Sequence, residues 1–187
     1  MKKKEWKGTD IDLSCAVQVV NYLEEVVGCD NKRSLRSVYA AVTELLSNIS
    51  HHAYPNKASG SLEGLWKVTA SIQSNYSISI VVEDYGITIP VSIIRKINLK
   101  SDENNQYIDC DLIEEAVYQR IASSTEGRGQ GLQSIVRNVD QGNIEHLGIR
   151  SRNGYFKYKT PPAGATLKDV SKLVGTSVEI VIPGVQK

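Results

Sequence analysis

The chain lacks the features that would assign it quickly to several large classes. Charge of one sign is missing: 22 Lys and Arg face 21 Asp and Glu over 187 residues, a net charge of +1. That balance gives no electrostatic case for nucleic acid, and no stripe of Lys and Arg supplies one. Long hydrophobic runs are missing too. The longest candidate, Ile78 to Val82, is far short of the roughly 20 apolar residues a membrane-crossing helix needs and reads as a strand. Cysteine is scarce, and Cys15, Cys29 and Cys110 are odd in number and without metal-ligand spacing. They read as reduced thiols of a cytoplasmic protein, with a redox role as the sharper alternative. The one basic cluster, Lys2 to Lys4, is expected to be a solvated, frayed end, and no signal-peptide core follows it.

What is present suits one domain. The length supports a single sizeable core, with no internal repeat or second-domain linker. Leu13, Ala16, Val17, Val20, Leu23 and Val27 recur at helical period until Gly28 supplies a C-cap. A second helix is expected from Lys32 to Ala53, capped by Asp30 or Asn31 and stopped by Pro55, with Leu35, Val38, Tyr39, Val42, Leu45, Leu46 and Ile49 as its apolar face. Trp66, Val68, Ala70 and Ile72 alternate with polar residues, and a more continuously apolar strand covers Ser77 to Glu83. A short helix around Leu112 to Ile121 and another opening after Gly127 to Gly131 precede two strands, Leu147 to Ser151 and Tyr155 to Lys159. These flank Asn153-Gly154, a hairpin signal. Val178, Ile180 and Ile182 form a last strand. Hairpin-paired strands with helices in separate runs predict an α+β, two-layer sandwich: a mixed, largely antiparallel sheet with helices on one face.

Four separated segments carry residue types suited to a nucleotide. Glu44, Asn48 and His52 lie at i, i+4 and i+8 along one helix face. A carboxylate can accept a proton from a hydroxyl or water, and an amide oxygen is a hard ligand for Mg²⁺. Alone, such a line reads equally as a solvated face. Asp84, at the end of a buried strand and followed by Gly86, places a carboxylate at a pocket mouth, where it could accept from the exocyclic amine of adenine. Alone, Asp and Gly are turn residues. The run Gly127-Arg128-Gly129-Gln130-Gly131-Leu132 lets backbone approach phosphate oxygens at a helix start, with Arg128 adding charge; alone it is a flexible connector. Thr176, in Gly175-Thr176 before the last strand, could hydrogen-bond the Asp84 carboxylate directly or through water.

In this order the segments resemble the N box, the two glycine boxes and the closing Gly-Thr pair of the GHKL superfamily of ATP-binding domains, over roughly residues 35 to 183. Within it, Glu44 to Tyr54, with its terminal His-Ala-Tyr, resembles the anti-sigma-factor serine kinases and related stand-alone ATPases. The resemblance implies a Bergerat-type fold over residues 1–187, with ATP and Mg²⁺ as cofactors. Glu44 would be the general base, Asn48 the Mg²⁺ ligand and Asp84 the adenine-reading carboxylate. Gly86 would lie under the base, Gly129, Gly131 and Leu132 would cradle phosphates together with Arg128, and Thr176 would support the adenine contact. Residues 98–127 would form a lid over the triphosphate.

The implied activity is serine or threonine phosphorylation on a regulatory partner protein, sigma-factor or antagonist-like, or slow ATP hydrolysis. The alternative is a nucleotide-switched binding module with little catalysis. A homodimer is compatible with either; nucleic acid and membrane are not implied. His52 reads as a structural hydrogen-bonder. Sensor kinases carry a phosphoacceptor hairpin before this domain and topoisomerase relatives a domain after it, so neither role is expected. One residue departs from the family's Asp-x-Gly-x-Gly pattern: Thr88 occupies the second glycine position, where a β-branched side chain restricts the backbone.

Overall fold

Lys3–Gly8 forms a strand, β1, where the sequence predicts a frayed basic end. The physical reason is Trp6, whose ring packs edge-on against Tyr22 at 5.8 Å while Lys4 Nζ lies over both rings. The lysines that read as a tail line the outer edge of a sheet, where charge discourages pairing with other strands. The structure is a computed structural model that describes all residues except 1, 55–64, 74–75, 99–107, 119–130, 160–163 and 185–187.

Two helices follow. Helix α1 (Ser14–Tyr22) runs into a π-helical turn (Leu23–Val27) that Gly28 ends at φ 79°. Glycine takes this left-handed backbone without the Cβ penalty. Its buried stripe is Cys15, Ala16, Val19, Tyr22 and Leu23, so the expected stripe is rotated: Leu13 and Val17 face outward. Helix α2 (Lys32–Asn48) is capped by Asn31, whose side-chain oxygen accepts from Arg33 N and Ser34 N, and continues as a second π-helical turn (Ile49–Ala53). The expected face is buried except for Tyr39, which is exposed.

Strands β2 (Trp66–Ile72) and β3 (Ile78–Asp84) are antiparallel neighbours. Helix α3 (Ile89–Asn98) begins where the sequence shows only Thr88-Ile89-Pro90; proline suits a first helical turn because no N–H is needed there. Helices α4 (Asp109–Tyr118) and α5 (Gly131–Asp140) precede two long strands, β4 (His146–Lys159) and β5 (Gly164–Ile182). The sheet order is β1-β2-β3-β5-β4 and every ladder in it is antiparallel.

Asn153-Gly154 is not a hairpin turn. Strand β4 passes through it with shifts of register between Ser151 and Gly154, and Arg152 takes φ 56°. The glycine serves a close approach instead: a Cβ on Gly154 would lie 2.7 Å from the backbone of Asp109 and Cys110 at the start of α4. Asp109 holds the kink from the other side, accepting from Asn153 N at 3.1 Å and pairing with Arg152.

The fold class is α+β, a two-layer sandwich. Val68, Ala70, Ile78, Ile80, Val82, Leu147, Ile149, Val178, Ile180 and Ile182 point from one sheet face into a core shared with α1, α2, α4 and α5. Ile113 and Val117 of α4 belong to that core, so the middle of the segment read as a lid is a packed helix. The rest of that segment, apart from Asn98 and Ile108, lies outside the described residues.

Candidate functional site

The register of the sheet sets the site. At the end of the core-facing side, Trp66, Asp84, Thr176 and Ser151 stand in one row across β2, β3, β5 and β4. Asp84 is buried, with 8% exposure, and Thr176 beside it with 7%. Gly86 N donates to Asp84 Oδ1 at 2.9 Å. Burial pushes the carboxyl up to about 6, opposed by hydrogen bonds from the Gly86 and Thr176 backbones. The link from Thr176 to Asp84 therefore runs through main chain. The Thr176 hydroxyl instead meets Ser151 Oγ at 2.9 Å.

Ser151 is a residue the sequence reading missed. It is fully buried, and its Oγ accepts from Ile89 N at 3.0 Å, tying the start of α3 to the Asp84 row. Its only sequence signal is a serine at a core-facing position of an alternating strand. Gly175, at φ 81°, brings its backbone against Asp84: a Cβ there would lie 1.9 Å from the Asp84 carbonyl oxygen.

Ala53 and Tyr54 clamp the turn after Asp84. Ile87 N donates to Ala53 O at 2.8 Å, and a Cβ on Gly86 would lie 2.2 Å from the same oxygen. Tyr54 Oη accepts from Tyr85 N at 2.9 Å and donates to Leu65 O at 2.7 Å. The Ala-Tyr of the motif thus acts locally, holding Asp84-Tyr85-Gly86-Ile87 in place. Thr88 stands immediately before α3 and its carbonyl accepts from Ser92 N at 3.0 Å, while its hydroxyl is buried without a partner among the described residues. The departure from glycine therefore coincides with a helix start rather than an extended glycine loop.

Glu44 and Asn48 are half-buried one α-helical turn apart on α2. His52 lies beyond the change to π-helical pitch, which breaks the expected straight polar line. It is exposed, and desolvation of its ring, followed by the nearby Lys96 charge, pushes its pKa down. Gly131 is the first residue of α5 and packs directly on Glu44. Leu132 packs against the core. Arg128 and Gly129 lie outside the described residues. The structure thus brings together Asp84, Gly86, Thr176, Ala53 and Tyr54, and separately Glu44 with Gly131.

Two cavities, of about 270 and 520 Å³, lie elsewhere, one between α1 and α2 and one on the β4–β5 hairpin. Among the described residues no three His, Cys, Asp or Glu side chains gather as a metal cage. A single amide ligand such as Asn48 fits the way Mg²⁺ is held in nucleotide sites, by few protein ligands plus phosphate oxygens and water. No helix among the described residues is long and apolar enough to cross a membrane. The three cysteines are buried, and burial raises the Cys15 thiol to about 11, against a redox role for that residue.

No family model matches the chain, and no curated protein matches it. Among the solved structures that resemble it are the following two. The histidine kinase domain of the Erythrobacter litoralis EL346 blue-light activated histidine kinase is 18% identical at a TM-score of 0.44, with 94% of this chain and 63% of that one covered. The chain thus spans less than two thirds of that domain's chain. The SiaB–SiaC complex from Pseudomonas aeruginosa is 17% identical at 0.47, covering 96% and 89%. Both scores fall below 0.5, so function is read from the chain's own residues.

Proposed function

We propose that this chain binds ATP with Mg²⁺ and acts as a regulatory serine/threonine protein kinase of the anti-sigma-factor type, or as a slow ATPase. The observation that carries the reading is the Asp84 row. A buried carboxylate backed by Gly86 and Thr176 amides stands at the end of the sheet, beside the end of the N box. A carboxylate accepts hydrogen bonds only, so it selects an amine donor, and adenine presents one.

In this reading Asn48 holds Mg²⁺, which when bound neutralises charge on the phosphates. Glu44 takes the proton of the acceptor hydroxyl as its oxygen attacks the terminal phosphorus and ADP leaves. By the resemblance, Arg128, Gly129, Gly131 and Leu132 would be the residues that hold the phosphates. The acceptor is a serine or threonine of a partner protein, sigma-factor or antagonist-like, in the cytoplasm. Calorimetric titration of ATP with and without Mg²⁺, followed by a hydrolysis assay, tests this. Mg²⁺-dependent binding is expected; absence of binding at saturating Mg²⁺ overturns it.

A second reading, a nucleotide-switched binding module, is favoured by Thr88, which begins a helix where a mobile glycine loop would let nucleotide and protein move together. Binding without turnover, against any seryl or threonyl acceptor, would select it.

A further inference from the structure

The β4–β5 hairpin carries charge that the rest of the chain does not. From His146 to Ile182 the sequence has six Lys and Arg and two acidic residues, against a net charge of +1 for the whole chain. Spacing alone hides this, because the residues are spread over more than thirty positions; pairing of the strands collects them. Ile149, Ser151 and Phe156 face the core, which leaves Arg150 and, past the bulge, Tyr155 and Lys157 on the opposite sheet face. Lys168 stands directly across from Tyr155, its Nζ 4.9 Å from the ring centre.

Arg150, Tyr155, Lys168, Val170 and Ser171 line the groove of about 520 Å³. Arg150 Nη2 donates to Ser171 O at 3.0 Å and Ser171 Oγ at 2.8 Å, which fixes the guanidinium across the groove. Its Nε is buried and has no partner among the described residues. Two carboxylates on this sheet face are already engaged: Glu179 Oε1 accepts from Ser79 Oγ at 2.6 Å and its Oε2 lies 3.8 Å from His146, while Glu83, in the row of Arg150 and Ser177, pairs with Lys67 at 2.6 Å. A guanidinium held in place by Ser171 and an exposed ammonium therefore share one groove with Val170.

We propose that this groove docks an acidic segment of a partner protein, with Arg150 and Lys168 taking its carboxylates and Val170 packing its aliphatic carbons. Both cations attract carboxylates, the guanidinium from a fixed position and the ammonium as a second, less directional contact. A nucleic-acid strand fits less well, since the ring at this site, Tyr155, is covered by Lys168 and cannot stack a base. The groove lies on the opposite sheet face from Asp84 and Thr176, so it does not depend on the nucleotide reading.

The test is fluorescence anisotropy of a labelled hexaglutamate peptide with the full chain at low salt, where surface charge is least screened. Wild type should bind. Lys168→Gln, at an exposed position that should leave the fold intact, should weaken binding on the order of five- to tenfold. Arg150→Gln should weaken it further, while Arg36→Gln on α2 should change nothing. Lys168→Gln should also keep the wild-type response to ATP, whatever that response is. Failure of wild type to bind, or equal binding by Lys168→Gln, overturns the proposal. Displacement by inorganic phosphate or oligothymidylate at concentrations where unlabelled hexaglutamate fails would overturn it in favour of a general anion site or a nucleic-acid surface.

Discussion

Gly131, the first residue of α5, packs against the side chain of Glu44: a Cβ on the glycine would lie 2.0 Å from the Glu44 carboxyl carbon. The proposed base and the helix proposed to face phosphate are therefore in contact, and the absence of a side chain at 131 sets where that carboxylate stands.

Gly131→Ala should separate fold from function. The obstructing atoms belong to the end of a flexible side chain, which can rotate away, and alanine favours a helix over glycine by up to about 1 kcal/mol. Thermal unfolding should move little, whereas turnover should fall because Glu44 is displaced. A large loss of stability would show that Glu44 cannot move.

Gly175→Ala should behave in the opposite way. At φ 81° and with the Asp84 carbonyl 1.9 Å from the new Cβ, neither backbone can yield cheaply. A destabilisation of roughly 2–4 kcal/mol is expected, read from denaturant midpoints. A variant as stable as wild type would remove Gly175 as the support of Asp84.

Much of this arrangement was legible in the sequence because it is local. Gly28 ends its helix, Asn31 caps the next, and Val178, Ile180 and Ile182 alternate into the core. The failures are contacts between distant segments. Nothing near Lys2–Lys4 announces that Trp6 will meet Tyr22. Asn153-Gly154 has the composition of a turn, and only the start of α4 lying against it turns that glycine into a bulge residue. Ser151 resembles any strand serine until Thr176 and Ile89 are placed beside it. Tyr54 and Gly86 were readable as motif residues, but not their shared reason, the turn that packs against Ala53 and is held by the Tyr54 hydroxyl.

Glu44→Gln and Asn48→Ala should part binding from chemistry. Glutamine keeps the volume and most hydrogen bonding but does not accept a proton at neutral pH. ATP affinity should survive in Glu44→Gln while product formation falls on the order of 10²–10⁴-fold. Asn48→Ala should lose Mg²⁺-dependent binding as well. Paired measurements of affinity and product decide it; intact turnover in Glu44→Gln would reject the proposed base.

Asp84 should make both stability and nucleotide binding depend on pH, with opposite signs. Its carboxyl titrates near 6 in the folded protein, raised by burial from the 3.8 of a free side chain. Below about pH 4 the group is neutral in both folded and unfolded chains and costs nothing. As pH rises through 4 to 6 the unfolded chain ionises first, so this group lowers stability, by roughly 3 kcal/mol at most once pH exceeds 6. Asp84→Asn should abolish that penalty, so the variant should gain on wild type in urea midpoint between pH 4 and 7. Nucleotide affinity should go the other way. If the ionised carboxylate accepts the adenine amine as proposed, wild-type affinity should hold above pH 6 and weaken up to about tenfold per unit below it. The variant should bind roughly 1–3 kcal/mol more weakly at pH 7, with no inflection near 6. Binding that is flat from pH 5 to 8 in wild type, or unchanged in Asp84→Asn, would take adenine away from Asp84 while leaving its buried charge to be explained by the fold alone.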